Sequence, residues 1–192
     1  MQLSEQEIIR RDKLNALREL GINPYPADLF PVNHTSKQVK STFEEGKKVV
    51  LAGRLMSVRD QGKACFAELQ DSEGRIQLYF NRDMLCTGED KTLYNQVFKK
   101  LTDLGDFIGV EGELFMTKVG AMCVRVDGFK MLSKTLKPLP LPKTDEEGHV
   151  FDAFTDPELR YRMRYVDLVV NPQVRDAFTK RTQLVNSMRG YL

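Results

Sequence analysis

Three side chains of complementary chemistry, Phe66, Gln77 and Arg59, could together bind a nucleobase. An aromatic ring stacks on any base, at about 1–3 kcal/mol, but does not distinguish one base from another. A glutamine amide offers a donor and an acceptor to the edge of a base, so it can discriminate. An arginine supplies a cation for a phosphate or a carbonyl oxygen. These residue types indicate a site that stacks on one base and reads its edge.

Two neighbouring strand patterns, residues 64–70 and 75–80, would position the ring and the amide. Side chains alternate between the two faces of a strand. One face is apolar and would form the core, with Cys65, Ala67, Leu69, Ile76, Leu78 and Phe80. The other face carries Phe66 and Tyr79 among Glu68, Gln70, Arg75 and Gln77. A short hairpin loop would place Phe66 opposite Tyr79 and diagonal to Gln77, within reach of one bound group.

The same pattern has a simpler interpretation, in which no ligand is involved. Phe66 and Tyr79 could be a cross-strand aromatic pair covered by a loop, because surface aromatic residues are common and such pairs stabilise sheets. The residues alone leave both interpretations open.

Residues 47–133 contain five strand patterns with a helix between the third and the fourth. The predicted strands are residues 48–58, 64–70, 75–80, 107–118 and 122–132, and the helix is residues 91–101. This is the element order of an OB-fold, a small Greek-key barrel. Gly53 within the first strand predicts a bend or a bulge. The predicted fold class is mainly β with flanking helices: a five-stranded OB-fold barrel with an N-terminal helix and a C-terminal helical extension.

Changes of pattern on both sides of the barrel predict the domain boundaries. The predicted parts are residues 1–46 (N-terminal helix and extended segment), 47–133 (OB-fold domain), 134–155 (proline-rich linker) and 156–192 (helices). A capping box at Ser4 begins the first helix, and prolines exclude long regular structure from residues 22–45. Asp-Pro and Asn-Pro steps begin two further helices, residues 156–169 and 172–192. The last helix has an uncovered apolar face, which predicts that the chain is a piece of a longer protein.

Composition restricts the function classes. The chain has 29 basic and 27 acidic residues, so any binding of nucleic acid must come from a local, shaped site. No apolar run approaches the roughly 20 residues of a membrane span. Three widely spaced cysteines indicate a reducing compartment, and two isolated histidines indicate neither a metal site nor a general base. A generic single-strand-binding OB module and a protein-binding OB module stay open as alternatives.

The segments around the aromatic face resemble a known family. Arg59–Phe66 and Gly74–Tyr79, in this order and spacing, resemble the anticodon-binding OB domain of class II lysyl-tRNA synthetases, which the aspartyl and asparaginyl enzymes share. The lysyl family is favoured by Gly62-Lys63 and by the segments Leu132–Pro140 and Arg160–Leu168. The resemblance covers nearly the whole chain.

The resemblance implies roles for the residues of the aromatic face. Phe66 would stack on the central anticodon base, a uridine, Gln77 would read the edge of that uridine, and Arg59 would lie beside it. Weaker possible tRNA contacts are Glu68, Tyr79, Arg54, Lys118, Arg11 and Arg18, of which the last two lie on the N-terminal helix. The turn between the fourth and fifth strands would approach an outer anticodon base, where this chain has Ala121 and many relatives have glutamate.

The resemblance also implies a larger enzyme. A full-length member attaches lysine to its tRNA with ATP and magnesium, and forms a homodimer through its catalytic domain. Phe178, Arg181 and Arg189 match only the beginning of class II motif 1. This chain is therefore expected to have no catalytic residue, cofactor or metal, and to bind the anticodon stem-loop of a lysine tRNA in the cytoplasm, without a membrane.

Overall fold

The computed structural model describes residues 3–144, 150–151 and 154–192. The chain divides into two compact units, Met1–Pro138 and Leu139–Leu192. His149 and the parts of the predicted linker at residues 145–149 and 152–153 lie outside the described residues.

The first unit contains a closed barrel of five strands. The strands are β1 (Lys48–Asp60), β2 (Ala64–Gln70), β3 (Arg75–Asn81), β4 (Phe107–Met116) and β5 (Met122–Ser133). Their order around the barrel is β1-β2-β3-β5-β4, and β3 pairs with β5 in parallel while the other neighbours are antiparallel. The predicted five-stranded OB-fold barrel is confirmed.

Alternation along β2 and β3 separates a buried face from an outer face, as the sequence predicts. The inward side chains are nearly inaccessible and form one core cluster with Cys65, Ala67, Leu69, Ile76, Leu78 and Phe80 among its members. The outward side chains of both strands are half-buried, apart from Gln70, which is buried. The barrel thus keeps a partly polar outer surface over β2 and β3.

The bend or bulge predicted at Gly53 is found further along β1. Gly53 stays in register with Ile108 of β4, and the shift of register in β1 falls between Leu55 and Ser57. Glycine is required at position 53 for a different reason, since an added Cβ would lie 2.5 Å from the backbone oxygen of Gln70. The strand therefore needs this glycine for close approach to β2.

Three α-helices accompany the barrel: α1 (Glu5–Glu19), α2 (Ser36–Ser41) and α3 (Arg82–Leu85). The capping box at Ser4 is formed as predicted. Leu17 of α1 is fully buried against Val97 of a π-helix, Leu93–Leu101, which occupies the place of the predicted helix 91–101.

The helix α2 lies inside the segment that the prolines predict to be irregular. Thr35 caps it, its side chain accepting from the backbone N–H of Gln38 while the Gln38 side chain accepts from the backbone N–H of Thr35. Ser36 and Val39 are buried. Three prolines precede this helix and none lies within it, so they exclude long elements but not one of six residues.

A buried ionic cluster ties the end of β5 to the loop before β4. The ammonium of Lys134 donates to Asp103 at 2.5 Å and to Asp106 at 2.7 Å, and the side chains of Lys134 and Asp106 are both 0% exposed. Lys13 of α1 binds the other carboxylate oxygen of Asp103 at 2.5 Å. Burial raises the pKa of Asp106 above its ordinary value. The cluster therefore depends on Lys134 to balance two partly or fully buried carboxylates.

In its described residues, the second unit contains a two-stranded sheet and three helices. The strands are β6 (Lys143–Thr144) and β7 (Val150–Phe151), and the helices are α4 (Pro157–Arg162), α5 (Arg164–Val170) and α6 (Pro172–Tyr191). The predicted final helix is present, and no residue of α6 is buried. Among the helices in the described ranges, none has the length and apolar character needed to cross a bilayer.

The predicted single helix 156–169 is wrong, because the chain breaks at Met163 (φ −114°, ψ 52°). The buried carboxylate of Asp167 accepts from Arg160 at 2.9 Å, and it also accepts from Arg164 and Asn171. Residues seven positions apart in a continuous helix are about 10 Å apart along its axis. The break therefore allows Arg160 to reach Asp167.

Candidate nucleic-acid interface

An open cavity of about 660 Å³ lies on the outer surface of the barrel. Strands β1, β2 and β3, the beginning of β5 and the helix α2 contribute its walls. It is lined by Lys40, Ser57, Val58, Arg59, Phe66, Ala67, Glu68, Arg75, Ile76, Gln77, Ala121 and Met122.

The structure brings Arg59, Phe66 and Gln77 together in this cavity. The register between β1 and β2 places Arg59 opposite Phe66, and the register between β2 and β3 places Glu68 opposite Gln77. Phe66 and Gln77 are half-buried, and Arg59 is exposed. A flat ring, an amide and a cation therefore face one space that is open to a ligand.

Tyr79 supports the Phe66 ring from the side. The two ring centroids are 5.1 Å apart with the planes tilted by 50°, and Tyr79 in turn contacts the edge of Phe115 at 5.8 Å. Such tilted and edge contacts are favourable for aromatic rings. Tyr79 does not line the cavity, so its position fits a role in orienting Phe66. Phe115 belongs to β4, which lies far along the sequence from β2 and β3, and it is not among the candidates from the sequence.

Glu68 lines the cavity, but its charge is engaged by a neighbour. The Arg75 guanidinium donates to Glu68 at 2.9 Å and to the side-chain oxygen of Gln70 at 2.7 Å. Both members of the Arg75–Glu68 ion pair are more than a third exposed, so the pair contributes little to stability. Within the cavity, the positive charge of Arg75 and the negative charge of Glu68 offset each other.

Arg54, a weaker candidate from the sequence, lies outside the lining of the cavity. Its guanidinium donates to the carbonyl oxygen of Gly105 at 2.7 Å and lies 4.2 Å from the centre of the Phe107 ring. Burial lowers the pKa of Arg54. These contacts hold Arg54 in the packing of the β1–β4 pair.

The remaining basic candidates also lie apart from the cavity lining. Arg11 donates to the carbonyl oxygen of Glu7 within α1 at 3.1 Å, and Arg18 is exposed near the end of the same helix. Lys118 is exposed in the turn between β4 and β5. Contacts from these residues would have to be made to parts of a ligand that extend beyond the cavity.

The turn between β4 and β5 reaches the cavity through Ala121 and Met122. Thr117 fixes the turn, since its N–H donates to the Ala121 carbonyl and its hydroxyl accepts from the Ala121 N–H, both at 2.9 Å. Gly120 takes a positive φ of 78°, which glycine adopts without strain. A methyl side chain at position 121 leaves this wall without a charged group.

Lys40 is a cavity residue that sequence reasoning missed. It belongs to α2, which lies in the segment that the prolines predict to be irregular. The sequence does contain a signal for this helix: Thr-x-x-Gln at positions 35–38 is a capping box, which indicates the start of a helix. Within the described part of the chain, no group of three or more histidine, cysteine or acidic side chains could hold a metal ion.

Comparison with known proteins agrees with this geometry. Residues 49–132 match the sequence model of the OB-fold nucleic acid binding domain family. The lysine–tRNA ligase of Christiangramia forsetii is 68% identical over 190 residues, covering 99% of this chain and 33% of that protein. Those of Porphyromonas gingivalis (strain W83) and Thermoanaerobacter pseudethanolicus are 54% and 46% identical, covering 100% of this chain and 34% and 36% of the relatives.

The match to the family covers the barrel that carries the cavity, while the similarity to the ligases extends over the flanking segments as well. The chain spans about a third of the length of the curated relatives it matches. Residues 49–132 are therefore similar to the OB-fold nucleic acid binding domain family, within a chain that is similar over its length to about a third of a lysine–tRNA ligase.

Proposed function

We propose that this chain recognises the anticodon of a lysine tRNA, as the anticodon-binding part of a lysine–tRNA ligase. The observation that carries the proposal is the convergence of Arg59, Phe66 and Gln77 on one open cavity of an OB barrel. Similarity to lysine–tRNA ligases over 99–100% of the chain supports this choice of RNA.

Phe66 provides the stacking surface for the central anticodon base. The Tyr79 ring beside it limits the rotation of Phe66 and so reduces the entropy lost when a base stacks. A single-stranded base is accessible to such a platform because its face is not covered by a partner strand.

Gln77 distinguishes uracil from cytosine in this proposal. Its NH2 group donates to a uracil carbonyl oxygen, and its carbonyl accepts the N–H of the uracil ring. Cytosine presents the opposite pattern on that edge, with a donor amino group and an acceptor ring nitrogen, so the discrimination requires that the bound complex hold the Gln77 amide in this one orientation. Arg59, opposite Phe66 in the sheet, supplies a cation for a phosphate or carbonyl oxygen of the same nucleotide.

The rest of the activity belongs to the full-length protein in this proposal. Attachment of lysine, the use of ATP and magnesium, and a homodimer are assigned to the whole protein, of whose relatives this chain matches about a third. We assign the whole protein to the cytoplasm. The chain itself contributes recognition of the RNA.

A titration with two RNA hairpins tests the proposal. The hairpins share a stem and differ only in the loop triplet, UUU or UCU. The wild-type chain is expected to bind the UUU hairpin roughly 5- to 150-fold more tightly, since a wrong pattern of donors and acceptors costs roughly 1–3 kcal/mol. Fluorescence anisotropy at one fixed salt concentration measures both Kd values.

The alternative functions give different results in the same titration. A generic single-strand-binding module would bind the two hairpins equally and with a steep dependence on salt. A protein-binding module would bind neither hairpin. Either result contradicts anticodon recognition.

A further inference from the structure

The helix α2 places Lys40 in the lining of the cavity that also includes Phe66 and Gln77. Lys40 is exposed. Among the described residues it takes part in no ion pair, and neither does Arg59 on the β1 side. The two cations are thus available to a ligand.

The charges that line the cavity leave an excess of positive charge. Arg75 and Glu68 offset each other in an ion pair. Within the described ranges, Lys40 and Arg59 have no ion-pair partner, and Glu68 is the one acidic residue of the cavity lining. A ligand that places a neutral, flat ring on Phe66 and carries negative charge beside that ring would match both features.

The position of α2 is set by contacts with the loop that joins β2 and β3. The backbone N–H of Ser36 donates to Asp71 at 2.5 Å, and the Ser36 hydroxyl donates to the other oxygen of Asp71 at 2.7 Å. The Thr35 hydroxyl, at the cap of α2, donates to Glu73 of the same loop. The start of α2 is therefore fastened at two points to the hairpin that carries Phe66 and Gln77.

The carboxylate of Asp71 accepts hydrogen bonds from both α2 and the hairpin loop. The same carboxylate accepts from the N–H groups of Glu73 and Gly74 at 2.8 and 2.9 Å, which closes the hairpin loop. Burial raises the pKa of Asp71, but the hydrogen bonds from Ser36, Glu73 and Gly74 outweigh burial and leave that pKa below its ordinary value. The ionised form, which can accept all four bonds, is the form that the structure stabilises.

We propose that Lys40 binds a phosphate of the RNA strand whose base stacks on Phe66, and that Ser36 is a positioning residue that holds Lys40 in place. The inference rests on the proposed function and adds a contact to its site. Lysine suits this task because its ammonium is a compact charge on a flexible stem, which binds phosphate without demanding one orientation. A phosphate contact adds affinity without adding sequence information.

The matched variants Lys40→Ala and Lys37→Ala test the proposal on the UUU and UCU hairpins. Both lysines lie on α2 and are exposed, but only Lys40 lines the cavity. Lys40→Ala is expected to raise Kd about three- to tenfold for both hairpins alike, and to reduce the slope of log K against log salt by about 0.7. Lys37→Ala is expected to behave as the wild type.

Two results would overturn the phosphate contact. One is a Lys40→Ala affinity and salt slope equal to those of Lys37→Ala. The other is a loss that depends on the base in the loop, which would make Lys40 a base-reading residue. Phe66→Leu, measured in parallel, separates the two proposals: if it weakens binding while Lys40→Ala does not, only the present inference fails. If Phe66→Leu also has no effect, the proposed function fails.

A double-mutant cycle tests the role of Ser36. Ser36→Ala removes one bond to Asp71 and leaves the backbone bond in place. It is expected to weaken RNA binding and reduce the salt slope in the wild-type background, but to have no effect on either quantity in the Lys40→Ala background. An equal effect of Ser36→Ala in both backgrounds would show that Ser36 acts on the cavity by another route.

Discussion

Replacing Phe66 with leucine is expected to weaken binding of the UUU hairpin by about 1–3 kcal/mol, which is roughly 5- to 150-fold in Kd. Leucine keeps an apolar side chain on the outer face of β2 but removes the ring on which a base can stack. Tyr79 cannot replace the ring, because it lies beside Phe66 and does not line the cavity. Anisotropy titrations at fixed salt measure the loss.

The matched control for this substitution is Phe107→Leu. Phe107 is also an exposed ring on the barrel, but it does not line the cavity and contacts Arg54 instead. The control is expected to bind the hairpin as the wild type does. An equal loss of affinity in both variants would contradict a specific stacking role for Phe66.

Replacing Lys134 with methionine is expected to lower the free energy of unfolding by about 3–5 kcal/mol. The substitution removes the cation from a fully buried site and leaves Asp103 and Asp106 without it. Methionine has a similar length, so little packing is lost. Urea denaturation measures the change, and Lys130→Met, an exposed site on β5 shortly before Lys134, is the control.

The pH dependence of the Lys134→Met variant provides a second readout. Burial already raises the pKa of Asp106, and loss of the ammonium raises it further. A carboxyl with a raised pKa in the folded state binds a proton more readily there than in the unfolded chain, so lowering the pH favours the folded state. The deficit relative to the wild type should therefore shrink as the pH falls from neutral towards about 4–5. A deficit that is independent of pH would contradict an unpaired, buried Asp106.

The register of the central hairpin could be predicted from the sequence because two independent signals agree. Alternation puts Phe66 on the outer face, and a turn of four residues between the strand patterns fixes the pairing. The structure has Phe66 opposite Tyr79 and Glu68 opposite Gln77, as expected. The three principal candidates for the site then converge because their strands are neighbours in the barrel.

The parts that sequence reasoning missed depend on contacts between distant segments. The helix α2 has only six residues, too few for a periodic apolar pattern, and it is held by Asp71, more than 30 positions away from Ser36. The break at Met163 lets Arg160 bind the buried carboxylate of Asp167, and no local sequence pattern indicates that Asp167 is buried. Tertiary contacts thus decided both elements.

Arg54 illustrates the same limit for the candidate site. Its place in the sequence, one residue after Gly53, is compatible with an exposed cation near the ligand. In the structure it donates to Gly105 and lies over the Phe107 ring. The contacts of an arginine side chain depend on the strands that pair around it. At Arg54, β1 changes its pairing partner from β4 to β2.

Nuclear Overhauser effects in a complex of the chain with the UUU hairpin show directly whether the middle base of the anticodon stacks on Phe66. We expect contacts between the Phe66 ring protons and H5 and H6 of the central uridine, together with upfield shifts of those uridine protons. Contacts of Phe66 with a different nucleotide, or the absence of any contact between Phe66 and the loop under saturating conditions, would contradict this stacking.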